Sequence, residues 1–115
     1  MLPRASRLRN PREFRAVVKD GVRAGGTGVV VHLRGGTAET SRAGFIVSKA
    51  VGNAVTRNRV KRQLRHLMRP ELSESEPAVD VVVRALPSAA EGVAKTDVAA
   101  AMAKARACLA GTGRR

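Results

Sequence analysis

The chain is poor in aromatics: two phenylalanines, no tryptophan and no tyrosine in 115 residues. Its core must therefore come from Val, Leu, Ile, Ala and Met, within an apolar content of 43% that is sufficient for folding. A single cysteine, Cys108, excludes an intrachain disulfide and a thiolate zinc cluster. There is no secretory apolar segment and no run long enough to span a bilayer. The Gly25-Gly26-Thr27-Gly28 cluster lacks the Gly-Lys-Ser/Thr of a phosphate loop and does not run from strand into helix, so it reads as a turn. Glu71, Glu74 and Glu76 sit in the Pro-bounded stretch PELSESEP, residues 70–77, with no cation-ligand pattern.

What the chain has in excess is positive charge. The formal net charge is +13, well beyond what solubility requires, and it points to a polyanionic partner. The distribution is uneven. Sixteen of the 22 cations but only three of the nine acids lie in residues 1–69, so that part carries the whole net charge. In residues 70–115 six cations balance six acids. The length suits one domain.

Asn10-Pro11-Arg12-Glu13 is a helix start: a capping side chain, Pro in the first turn and an acid in the capping-box position. Phe14, Val17 and Val18 form its apolar stripe and Gly21 stops it, giving a helix near 11–20. Val29–Leu33 is a strand with Val29, Val31 and Leu33 on one face and Val30, His32 and Arg34 on the other. Gly35-Gly36-Thr37 begins a connection to a second strand at 43–48, antiparallel to the first. Residues 22–25 carry a weak signal for a short edge strand.

Gly52-Asn53 opens a long helix expected to end near Arg69 at Pro70. Val60, Leu64, Leu67 and Met68 share one narrow side, with Arg57 near that seam. A mostly buried strand covers Ala78–Ala85, broken by Asp80 and Arg84. Residues 86–95 read as a loop or a short turn. The last helix starts near Thr96, carries Val98, Met102, Ala105 and Leu109 at helical spacing, and ends at Gly111. The fold class is α+β, one domain, in the order α-β-β-β-α-β-α. Residues 1–9 form a basic arm, 10–110 the folded core and 111–115 a frayed tail. Although the arm shares its Arg-rich, acid-poor composition with mitochondrial presequences, the capped helix that follows at once makes it the arm of a cytoplasmic protein. Strand 43–48, the long helix and strand 78–85 form a βαβ unit, right-handed by the general rule.

The stretch RNRVKRQLR, residues 57–65, holds five cations and no acid. A solvated helix face normally places Glu four residues before Lys or Arg. Here 57/61, 61/65 and 65/69 stack like charges, each costing a few tenths of a kcal/mol. A fold that tolerates this gains from phosphates, which arginine forks match. Asn58 can address a base edge or a 2′-hydroxyl. A DNA-reading helix would need a second helix just upstream, where a strand lies instead. His32 and His66 could in principle work as acid and base on a phosphodiester. Their spacing does not pair them, and both read as polar surface residues. The residues alone describe an RNA-binding protein without visible catalytic machinery.

The segment RAGFIVSKAVGNAVTRNRVKRQLR, residues 42–65, resembles the signature of the bacterial ribonuclease P protein subunit, with VSK, GNAV and RNR in that family's order and spacing. Leu2-Pro3, Arg7-Leu8, the EF pair at 13–14, Val18, Gly21, VVVRA, Pro87 and the last helix fit as well, so the resemblance covers most of residues 2–110. It implies a four-stranded mixed sheet with helices packed on it and a left-handed βαβ crossover, against the general rule. It implies an accessory subunit of an endoribonuclease. A catalytic RNA, using magnesium, removes the 5′ leader of precursor tRNA, and the protein binds that RNA and the leader. It further implies no catalytic residue, no metal and no cofactor on the protein alone, no membrane and no small-molecule substrate. By position, Arg57, Asn58, Arg59, Lys61, Arg62 and Arg65 are expected to meet the catalytic RNA or the cleft edge. Ser48, Lys49 and Asn53 are expected near the helix start, where backbone amides favour anions. Phe14, Val18, Val30, His32 and Ile46 are expected to line the leader cleft. The family often has aromatics where this chain has Val18 and His32, which implies weaker stacking and more reliance on charge. Two other readings compete: a ribosomal or general RNA-binding protein, and a self-sufficient nuclease using His32 or His66.

Overall fold

The computed structural model describes residues 6–8, 10–36, 40–75 and 77–112. Residues 1–5 and 9 of the arm, residues 37–39, Glu76 and the last three tail residues lie outside it. Helix α1 spans Pro11–Asp20, strands β1 Val22–Gly25, β2 Val29–Gly35 and β3 Arg42–Ile46, helix α2 Ala54–Ser73, strand β4 Val79–Ala85, a short 3-10 helix Pro87–Glu91, and helix α3 Lys95–Thr112. The expected capping box is present: the Asn10 side chain accepts from the Glu13 amide at 2.9 Å, and the Asn10 amide donates back to the Glu13 carboxylate at 3.4 Å.

The four strands form one mixed sheet in the order β1-β2-β4-β3. Strands β2 and β4 pair antiparallel, while β3 and β4 pair parallel across the α2 crossover. Strand β3 therefore runs opposite to β2, as expected, but β4 lies between them. The weakly signalled segment at 22–25 is a true strand, paired with β2.

The two faces of the sheet are covered differently. One face presents Val29, Val31, Leu33, Ala43, Val79, Val81 and Val83 to the main core, closed by α2 and α3 through Val60, Leu64, Met68, Val98 and Met102. Burying the α2 seam of Val60, Leu64, Met68 and Leu72 contributes about 1.5–3 kcal/mol per side chain. That outweighs the repulsion between like charges on the opposite side of the same helix, about 0.2–0.5 kcal/mol per pair. The other face carries a smaller cluster of Leu8, Val17 and Val82, with Phe14, Val18 and Ile46 packed against it under α1.

Two helix ends depart from expectation. Helix α2 continues past Pro70 to Ser73. Proline in a last turn forfeits one hydrogen bond, and several contacts offset it. Leu72 is buried in the core, Glu74 N–H donates to the Pro70 carbonyl at 3.0 Å, and Arg106 of α3 bridges the Glu71 carboxylate at 3.1 Å and the Glu71 carbonyl at 3.0 Å. Half of the expected acidic loop is thus helix. Helix α3 runs one residue past Gly111. Strand β3 closes at Ile46, two residues short of the expected end.

Candidate nucleic-acid interface

Face residues of the sheet stand in rows set by the register. The first row is Arg34 on β2, Asp80 on β4 and Arg42 on β3. Asp80 is fully buried; Arg42 grips it through two bonds, Nε at 3.1 Å and Nη2 at 3.0 Å, and Arg34 approaches it at 3.4 Å. Helix α1 lies across this row: Glu13 accepts from Arg42 at 2.7 Å, and Asp20 lies 3.8 Å from Arg34. The Asp80 hydrogen bond is the main cause holding the Arg42 pKa above its ordinary value, and burial only partly offsets it. The charges in this row are matched, and they fasten α1 to the sheet.

The second row is Arg23, His32, Val82 and Gly44; the third holds Val30, Arg84 and Ile46. Phe14 drops onto Gly44, where any Cβ would collide with its ring. Phe14, Val18, Val30, His32 and Ile46 thus lie on one side of the molecule, α1 and the sheet face beneath it, with Val30 buried. His32 is not a surface residue, however. It is 7% exposed, and its Nδ1 has no hydrogen-bond partner among the described residues. Burial lowers its pKa, and the guanidiniums of Arg84 and Arg23 lower it further.

Helix α2 packs on the opposite face, and the two regions meet around the edge strand β3. Its free edge is partly capped by the arm: Leu8 N–H donates to the Ala43 carbonyl at 2.9 Å, and Arg7 bridges Ala43. A cavity of about 130 Å³ opens at this edge, lined by Phe14, Gly44 and Phe45 together with Arg7, Lys61 and Arg65. Lys61 and Arg65, one helical turn apart, form the flank of α2 nearest the cleft. Arg57, a turn earlier, is half-buried near the seam, as expected. Asn58 and Arg62 point to solvent. Arg59 is exposed yet donates to the Ala90 carbonyl at 3.0 Å, so it also steadies the 3-10 helix.

Beside it, Gln63 makes a reciprocal pair with the Val93 backbone at 3.0 Å each way. That contact was not legible from RNRVKRQLR, where Gln63 looks like one more polar position. Asn53 caps α2 by accepting from Thr56 N–H at 2.9 Å, and Ser48 and Lys49 are exposed in the turn before it.

Other chemistries find little support in this arrangement. His32 lies on the α1 face of the sheet and His66 is exposed on α2 across the sheet, so the two form no common site. Among the described residues, no three of His, Cys, Asp and Glu group as metal ligands. Among them also, no helix is long and apolar enough to cross a membrane.

Comparison with known proteins matches this frame. The family described as Ribonuclease P matches residues 2–109. The ribonuclease P protein component of Streptomyces avermitilis is 51% identical over 100 residues, covering 79% of this chain and 81% of its own. That of Corynebacterium diphtheriae is 45% identical over 114 residues, covering 90% and 96%. Among solved structures, a mutant of the Staphylococcus aureus RNase P protein superposes with a TM-score of 0.80 at 26% identity, covering 89% of each chain. The Thermotoga maritima RNase P protein superposes at 0.67 with 29% identity, covering 80% of this chain and 86% of its own.

Proposed function

The chain belongs to the ribonuclease P protein family, and from that premise we propose that its two adjoining surfaces divide the RNA between them. As the protein subunit of an endoribonuclease that processes the 5′ end of tRNA, it works in a ribonucleoprotein. The exposed side of α2, with Asn58, Arg59 and Arg62 and the turn residues Ser48, Lys49 and Asn53, meets the catalytic RNA. The cleft of Phe14, Val18, Val30, His32 and Ile46 takes the single-stranded leader of precursor tRNA. Lys61 and Arg65 stand where the two surfaces meet and touch whichever RNA crosses the β3 edge.

The observation that carries this reading is the shared cavity. Phe14 offers a ring on which a base can stack, and Lys61, Arg65 and Arg7 supply cations for the phosphates on either side of that base. The protein's role is to position and to neutralise. Each phosphate it contacts releases counterions, and two RNA strands brought together gain from cations between them. The magnesium of the cut is assigned to the RNA, as membership of the family implies. The complex is assigned to the cytoplasm.

The test is reconstitution. The protein, a bacterial ribonuclease P RNA and a precursor tRNA are combined at low millimolar magnesium. Cleavage at the mature 5′ end should need both macromolecules. Cleavage by the protein alone would revive the nuclease reading, and RNA binding without stimulation would favour a ribosomal-type protein.

A further inference from the structure

The α1 face of the sheet is divided electrostatically. In the row under α1, both arginines are paired with carboxylates. In the rows beyond it, the side chains of Arg23 and Arg84 make no ion pair or hydrogen bond with any described residue. Arg84 is the unusual one. Strand β4 is interior to the sheet and buried along its length except at Arg84, which is exposed between Val30 and Ile46. A buried strand that reaches the surface at one position needs a polar residue there for contact with water, and one lysine or threonine would serve. Two unpaired guanidiniums on one floor, with His32 beside them, exceed that need.

We propose that Arg84, assisted by Arg23, is a phosphate-binding element in the floor of the cleft and holds the leader by its backbone. The inference rests on the reading of this cleft as the leader site and deepens it, since neither arginine belongs to the residues assigned above. The guanidinium fork of Arg84 matches two oxygens of one phosphodiester. Val30 and Ile46 are its cross-strand neighbours on the same face, so the fork rises from an apolar floor. Both cations lower the His32 pKa, which places them in one shared field. Charge here does what stacking would do in a cleft with more rings, and it is indifferent to base identity.

The experiment measures holoenzyme affinity for precursor tRNA carrying a five-nucleotide leader and for leaderless tRNA, across a salt series. Arg84→Ala should weaken only the leader-bearing substrate, by about ten-fold or more. Its log–log salt slope should become shallower by about 0.7, one single-strand phosphate contact. Arg84→Lys should recover part of the loss. A single uncharged methylphosphonate linkage, walked along the leader, should cost the native protein the same factor at one position and cost Arg84→Ala nothing more there. Equal losses on both substrates, or no linkage coupled to Arg84, would overturn the proposal while leaving the cleft reading intact, provided the native protein still prefers the leader. A native protein with no leader preference would remove both. The linkage walk reads the native protein and does not depend on the folding of a variant.

Discussion

Replacing Asp80 by Asn removes the charge at the centre of the clamp while keeping its shape. Asp80 is fully buried, and the arginines around it are 17% and 20% exposed. The amide can still accept from one guanidinium, but two cations then face each other across β4 with no carboxylate between them. Breaking a buried ion pair by removing one partner costs about 3–5 kcal/mol. For a domain of this size that lowers Tm by roughly 12–20 °C. The loss should be local first, because Glu13 and Asp20 hold α1 through the same two arginines. Holoenzyme carrying Asp80→Asn should lose preference for leader-bearing substrate at temperatures where α2 remains folded and catalytic-RNA affinity is near native. Thermal melts and paired binding assays read both effects. A Tm change under about 3 °C would mean that α1 is held by its apolar stripe and not by the clamp.

Other expectations follow from single contacts. Gly44→Ala places a methyl group in the Phe14 ring and should cost about 1–3 kcal/mol in denaturant melts, with leader affinity falling alongside. Burial and two cations hold the His32 pKa below 6.5, so the unfolded chain binds a proton that the fold does not. Stability is therefore full above the unfolded value and falls as pH drops from about 6.5 toward the folded value; urea melts of His32→Gln should lose that slope in this window. Arg62→Ala should leave stability unchanged and flatten the salt dependence of catalytic-RNA binding by roughly one log–log unit, whereas Arg59→Ala should also loosen the 3-10 helix, seen as faster amide exchange near Ala90.

Local signals in the sequence were reliable where the physics is local. Asn10-Pro11-Arg12-Glu13 encodes its capping box within four residues, and the alternation of Val29–Arg34 assigns every side chain to its observed face. What sequence could not supply is neighbourhood at a distance. The clamp joins residues 38 and 46 positions apart, and strand alternation gives faces without saying that β4 lies between β2 and β3. Asp80 and Arg84 both looked like interruptions of a buried strand. One is the neutralised centre of the clamp and the other is exposed on the same face, a difference set by which row of the sheet α1 lies across. Pro70 misled because a last-turn proline costs one bond, which the docking of α3 outweighs.

The central claim is that α2 and the cleft address different RNAs. A Cys108→Ser background, with a single new cysteine at Arg62 or at Val18 carrying a tethered hydroxyl-radical source, tests it directly in the assembled complex. The probe at position 62 should cut the catalytic RNA, and the probe at position 18 should cut the leader of precursor tRNA. Leader cuts from position 62 with none from position 18, or no cuts in either RNA, would contradict the division of the surface.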